Sequence, residues 1–301
     1  MGNTIFHCIV VEPSQPTGIL LYFHSNSNVL GSLLLECVKC LSKQLSKTVV
    51  AVEYPGYGLS TEECTIDNFF RVVEAATNFF QTGSYEGMPL VLYGKSLGCV
   101  AVCYLASMIP NIAGIILECA FVSIRDILGW TSLFASKSMK MKMDRLSCIK
   151  YLSKVTCPKC LIYGTHDQFC PVRSQKKLLP YFENNSKDVV LKLQGFYHNN
   201  IPNGSEKCHC LVSFPYPCIC CIVAPAVSTV EEEYYSTLVS FMLTFDSSAI
   251  LQQSDISFTA TNEVSLVSSK DITSIPNKGI SSIPSKEKCL PSTEMLPSAE
   301  L

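Results

Sequence analysis

Residues 91–98 read Val91-Leu92-Tyr93-Gly94-Lys95-Ser96-Leu97-Gly98, an apolar run that breaks into Gly-x-Ser-x-Gly and passes into the helical pattern of residues 99–107. A serine at a sharp strand-to-helix turn takes a strained backbone conformation, and flanking glycines leave room for it. Its hydroxyl then stands clear of the sheet. The next backbone N–H groups open the helix, where a developing oxyanion is stabilised. The motif alone also fits a tight turn carrying an ordinary exposed serine, so its partners decide between the two.

Two later blocks supply them. Leu161-Ile162-Tyr163-Gly164-Thr165-His166-Asp167 is an apolar run ending in a turn with a carboxylate, and residues 189–193 form another run before Gly195-Phe196-Tyr197-His198. Nucleophile, acid and base thus follow in that order, each after its own strand. Ser96 attacks a carbonyl, His198 takes its proton, and Asp167 fixes the imidazole tautomer and stabilises the imidazolium. His209 is the rival downstream histidine, but no strand leads to it. Upstream, Leu20-Leu21-Tyr22-Phe23-His24-Ser25-Asn26-Ser27-Asn28 is a strand and a tight turn. The backbone N–H of Asn26 is expected to join that of Leu97 in an oxyanion hole. His24 is expected to order the turn, and Glu53-Tyr54-Pro55-Gly56-Tyr57-Gly58-Leu59-Ser60 to line the site.

Around these blocks, short β-rich runs at residues 5–11, 18–23, 49–53, 90–93, 112–117, 159–163 and 189–193 alternate with helical patterns at 29–45, 66–81, 97–109, 123–134, 172–184 and 230–243. Several runs are continuously apolar, which suits a parallel sheet covered on both faces. The reading is a doubly wound α/β domain over residues 1–245 with right-handed crossovers. Residues 246–301 hold thirteen serines and Pro276, Pro284, Pro291 and Pro297, the texture of a flexible tail. Hydrophobic residues make up 48% and charged ones 16%, against about 25% in ordinary soluble domains. That balance excludes a coiled coil or a mostly disordered chain. A net charge of −2 gives no field for nucleic acid.

The 17 cysteines are an odd number at irregular spacings, and the first apolar run, residues 18–23, has no basic segment before it. The chain is therefore read as reduced, cytoplasmic and possessed of small buried thiols, with Cys37/Cys40 and Cys157/Cys160 as core packing. Residues 210–227 are apolar but broken by Pro215, Pro217 and Pro225, which argues against a spanning helix. They belong to an insert at 202–228 with three open readings. Cys208-His209-Cys210 and Cys218-Ile219-Cys220-Cys221 invite zinc, although the spacings match no common finger. Acylation of Cys218, Cys220 and Cys221 would give a peripheral membrane anchor. The third reading gives the insert no special role.

These blocks resemble the serine α/β-hydrolases, and in particular the α/β-hydrolase domain-containing protein 17 group of palmitoyl-protein thioesterases. The resemblance spans residues 3–201. It rests on Phe23-His24-Ser25-Asn26, Tyr54-Pro55-Gly56-Tyr57-Gly58-Leu59-Ser60, Leu92-Tyr93-Gly94-Lys95-Ser96-Leu97-Gly98, Leu152-Ser153-Lys154-Val155-Thr156-Cys157-Pro158 and His198-Asn199-Asn200. It implies a mostly parallel sheet, a Ser96–Asp167–His198 triad and hydrolysis of fatty-acyl thioesters on protein cysteines. Against the family pattern, Ser25 replaces a glycine in the oxyanion turn and Tyr197 a glycine before the histidine. The family's first strand and N-terminal cysteine cluster are not matched. Phe6 stands where a myristoylation motif at Gly2 wants Ser or Thr.

The expected activity is thus that of a serine hydrolase, without metal or cofactor, acting on an acylated protein or lipid at the cytosolic face of a membrane. A general carboxylesterase or lipid hydrolase is one rival, and a catalytically weak binding or scaffold protein on the same fold is the other.

Overall fold

Alternate residues of most strands fall into two separate apolar clusters, which explains the continuous runs. Along β2 (Ile19–Phe23), Ile19, Leu21 and Phe23 join one cluster, and Leu20 and Tyr22 the other. β4 (Leu90–Lys95) divides in the same way, Leu90 and Leu92 against Val91 and Tyr93. Strand side chains alternate between faces, so an unbroken apolar run needs cover on both. α2 (Ile66–Phe80) and α3 (Gly98–Ala106) cover the first face with Phe69, Phe70, Val73 and Val100. α1 (Ser32–Leu45) and α8 (Val227–Asp246) cover the second with Val38, Leu41, Tyr234, Leu238 and Phe241.

The computed structural model describes residues 6–26, 28–183, 185–199, 227–246 and 266–267. The remaining strands are β1 (Cys8–Val11), β3 (Thr48–Val52), β5 (Gly114–Glu118), β6 (Lys159–Gly164), β7 (Val189–Leu193) and β8 (Leu266–Val267). They lie in the order β7-β6-β5-β4-β2-β3-β1-β8. β1 is antiparallel to β3, and every other pairing is parallel. This is the doubly wound, mostly parallel sheet expected from the sequence. β4, β5, β6 and β7 are consecutive neighbours, so the loops after their carboxyl ends meet along one edge.

The segment between β5 and β6 differs from expectation. The helical region read at 123–134 is α4 (Ile124–Leu128) followed by a 3-10 turn, and α5 (Lys137–Met143) and α6 (Cys148–Leu152) were not read at all. Helices of five to seven residues are too short to show a period. Their caps do carry the signal: Ser123, Ser136 and Ser147 accept from the N–H of Asp126, Met139 and Lys150. The helix read at 172–184 is likewise α7 (Val172–Lys176) and a separate 3-10 turn with a proline in its first two positions.

Ten described cysteines are free, most of them buried, in line with core filling. Cys37 and Cys160 are buried while Cys40 and Cys157 are partly exposed. Cys64 departs from the reduced reading, since it is disulfide-bonded. Residues 202–226 of the insert, with Cys218, Cys220 and Cys221, lie outside the described residues, as does the tail beyond Asp246 except β8. That pair runs parallel to β1, with Leu266 opposite Cys8. Among the described residues, no helix is long and apolar enough to cross a membrane.

Candidate active site

Ser96 sits at the turn from β4 into α3 with φ of 53°, in the left-handed region. A non-glycine residue there costs about 1–3 kcal/mol and persists only where its surroundings over-determine it. A Cβ at Gly98 would lie 1.9 Å from the carbonyl oxygen of Phe23, and one at Gly94 would lie 2.4 Å from that of Gly98. The spacing of the motif is thus the spacing of two backbone contacts. The Ser96 N–H donates to the Glu118 carbonyl at 2.8 Å, tying the elbow to β5.

Beneath the elbow lies a buried ion pair that the sequence did not announce. Lys95 Nζ is 2.7 Å from Glu118 Oε1, and both side chains are almost fully enclosed. The hydroxyls of Tyr93 and Tyr234 donate to Glu118 Oε2. Burial alone would lower the Lys95 pKa, but the Glu118 carboxylate outweighs it and holds the ammonium above its ordinary value.

Asp167 and His198, each 5% exposed, meet at the ends of β6 and β7. His198 Nδ1 lies 2.9 Å from Asp167 Oδ2 and 3.0 Å from Oδ1. An ionised carboxylate can only accept, so Nδ1 carries the proton and Nε2 keeps a free lone pair. Asp167 is itself oriented: Oδ1 accepts from the N–H of Phe169 (3.0 Å) and Cys170 (2.7 Å), and Oδ2 from Gln175 Nε2 (3.4 Å). The ring packed edge-on against His198 is Phe169, at 5.3 Å between centroids. Tyr197, which stands where the family pattern has a glycine, lies against His166.

No hydrogen bond joins Ser96 Oγ to His198 among the described residues. Cys170 lies beside Ser96, and burial pushes its thiol pKa up. Such bonds are commonly long before substrate binds and tighten in the complex.

The turn expected to offer an oxyanion donor is held from below. His24 Nε2 lies 3.1 Å from Glu53 Oε1, and Glu53 Oε2 accepts from the Leu30 N–H at 3.0 Å. Tyr54 Oη donates to the His24 carbonyl at 2.7 Å. His24 therefore orders this turn, as its position suggested. Asn26 is exposed, and its side chain accepts from Tyr57 Oη at 2.6 Å. Ser25, the departure from the family glycine, is buried. Tyr57 and Leu97 also line a small surface recess with Tyr54, Ile66, Phe69 and Leu146. Its walls are nearly all apolar, and it opens beside the expected oxyanion donor.

Sequence reasoning missed Phe169, Cys170, Gln175 and the Lys95–Glu118 pair. Phe169 and Cys170 follow Asp167 within three residues, and that proximity was the available signal. Gln175 and Glu118 carry none, because each acts through a fold-dependent contact.

Residues 41–148 match the family model described as serine aminopeptidase, S33. The chain is 30% identical over 153 residues to α/β-hydrolase domain-containing protein 17C of Xenopus laevis, covering 50% of this chain and 46% of the relative. It therefore spans about half the length of the curated relatives it matches. Among solved structures, a monoacylglycerol lipase of Paleococcus ferrophilus superposes with a TM-score of 0.52 at 15% identity, covering 80% of this chain and 100% of that one. An esterase of Pyrococcus furiosus gives 0.54 at 13% identity, covering 76% and 82%. The fold is that of the α/β-hydrolases.

Proposed function

We propose that the protein is a serine hydrolase that cleaves acyl thioesters or esters through an acyl-Ser96 intermediate. The observation that carries this reading is the buried, oriented Asp167–His198 pair, set two and three strands along from a serine held at positive φ. His198 Nε2 takes the Ser96 proton as the oxygen attacks the acyl carbonyl, and the N–H groups of Leu97 and Asn26 receive the oxyanion. Collapse expels the leaving thiolate or alkoxide, which takes up the proton from His198. Water then repeats the sequence on the acyl-enzyme, with His198 as base. No metal or cofactor enters these steps.

A fatty-acyl thioester on a protein is the finer form of the proposal. The apolar wall beside Leu97, with Tyr54, Ile66 and Phe69, supports it as a first contact for the acyl chain, at about 0.8 kcal/mol per buried methylene. The resemblance of the motif blocks to the protein 17 group supports it too. Work at the cytosolic face of a membrane belongs to the same proposal, supported by Leu133 and Phe134, which are strongly exposed on the segment between β5 and β6.

The test is labelling of purified protein by a fluorophosphonate probe, with Ser96→Ala as control, followed by turnover of acyl-thioester peptides of rising chain length. Ser96-dependent labelling and a preference for long chains are expected. A folded protein that does not label overturns the hydrolase reading in favour of a binding role. Labelling with indifference to chain length leaves a general carboxylesterase.

A further inference from the structure

Cys119 follows β5 as Ser96 follows β4, and the preceding residues Glu118 and Lys95 are paired in register. Like Ser96, Cys119 is held in the left-handed region, with φ of 52°. The proposed reaction uses no thiol here, yet its Sγ lies 3.7 Å from the His198 carbonyl oxygen. The Cys119 thiol, an Asp167 carboxylate oxygen and a His198 ring nitrogen all lie within 4.8 Å of one another, and all three residues are buried. Strained non-glycine residues cluster where a site imposes them, and this one brings a soft donor against the acid–base pair.

We infer that Cys119, Asp167 and His198 form an inhibitory site for a soft divalent cation such as Zn²⁺. This inference rests on the hydrolase reading for its consequence, though not for its geometry. Thiolate, imidazole and carboxylate are the three donor types zinc takes, and three protein ligands leave its fourth position to water. Tetrahedral zinc at bond lengths of about 2.0–2.3 Å sets its ligand atoms about 3.5 Å apart, so the cluster must tighten by roughly 1 Å. The Nδ1–Oδ2 separation of 2.9 Å must open by a smaller amount.

The proton inventory explains the inhibition. Zinc binds the thiolate, so one proton leaves the Cys119 thiol for solvent. It also takes the Nδ1 lone pair, and the imidazole proton moves through solvent from Nδ1 to Nε2. The ring stays neutral, but its face toward the nucleophile now donates where it must accept. His198 can no longer take the proton of Ser96. Because the thiol must ionise, the block strengthens as pH rises.

The test uses the full chain stripped of metal. Fluorophosphonate labelling of Ser96 is followed against added ZnCl₂, and each variant is normalised to its own metal-free rate. Wild type is expected to lose labelling with zinc and to recover it with a chelator. Cys119→Ser and Cys119→Ala should raise the half-inhibiting zinc concentration by at least about 10-fold, the least that loss of even a ligand's hydrogen-bond partner costs. In parallel, Co²⁺ should give a thiolate-to-metal absorption band in wild type that is absent from the Cys119 variants. Taking the difference between wild type and variant cancels any contribution from Cys208 to Cys221. A zinc-insensitive wild type, equal sensitivity in folded Cys119 variants, or a cobalt band independent of Cys119 overturns the inference. If metal-free wild type does not label, the hydrolase reading falls, and the cobalt band alone judges the metal site.

Discussion

The thiols load the core with groups that resist ionising, and this predicts alkaline unfolding at unusually mild pH. Cys8, Cys37, Cys99, Cys103, Cys119, Cys160 and Cys170 are at most 3% exposed. Burial raises the pKa of every one, to about 12 for Cys8, Cys37 and Cys160. In the unfolded chain they titrate near the ordinary value of about 8.5. Below that pH both states keep the protons and stability is flat. Above it the unfolded chain releases protons that the native state retains, so stability falls until the native thiols themselves ionise, about pH 12 for Cys8, Cys37 and Cys160.

Each thiol then costs about 1.4 kcal/mol per pH unit, and seven together cost about 10 kcal/mol over the first full unit. A domain has about 5–15 kcal/mol in all. Unfolding is therefore expected between about pH 9.5 and pH 10.5, before the buried tyrosines contribute. The assay is urea unfolding in reductant at pH values from about 7.5 upward, the slope of stability against pH giving the protons released. Cys160→Ala should lower the slope by one proton even though its cavity lowers stability at neutral pH. Stability that stays level from pH 8 to about pH 10 would refute the argument, because it would mean that the thiols ionise as freely in the fold as out of it.

Two further predictions concern the elbow. Glu118→Gln strands the buried Lys95 ammonium and should cost about 3–5 kcal/mol in urea unfolding, whereas Lys95→Met with Glu118→Gln should recover most of it, since the glutamine oxygen still accepts from a tyrosine hydroxyl. An additive double-mutant cycle would show that the pair does not interact. Gly98→Ala forces a Cβ against the backbone of Phe23 and should abolish probe labelling, with a stability cost of about 3 kcal/mol or more. Gly83→Ala, where a Cβ meets nothing within 4 Å and only its positive φ of 64° opposes the change, should cost about 1–2 kcal/mol and leave labelling intact.

The sheet was legible because both faces of its inner strands are covered, so those strands wrote themselves as nearly unbroken apolar runs, whereas β7 at the edge buries Leu191 and Leu193 and exposes Val190 and Lys192. The elbow was legible for a similar reason, since Gly94 and Gly98 answer to contacts with neighbouring backbone that no other residue fits. Asp167 and His198 could be read from their order, each just beyond a strand. What could not be read was set by pairing between distant segments. Lys95 and Glu118 are 23 positions apart in sequence and become partners only because β4 and β5 adjoin. Each alone looks like the polar end of a strand. The short helices between β5 and β6 were lost for a different reason: periodicity needs several turns, and their evidence lay in single serine caps.

The Lys95–Glu118 pair also explains how two strained residues can stand side by side. Ser96 and Cys119 each carry the cost of positive φ, and each lies one residue beyond a member of the pair. Either could relax only by withdrawing its strand end from the ladder. The Ser96 N–H is bonded to the Glu118 carbonyl, and the Cys119 N–H to the Ile162 carbonyl at 2.9 Å, so three strand ends would have to move together. They would have to pull the ammonium and carboxylate apart in a medium where neither can be hydrated. A hydrophobic pair of equal volume would fill the same space but would resist that separation far less steeply. The buried charges are thus better understood as holding the geometry of Ser96, the proposed nucleophile, than as a source of net stability. For that reason the double replacement at Lys95 and Glu118 should restore folding more completely than it restores the rate of Ser96 labelling.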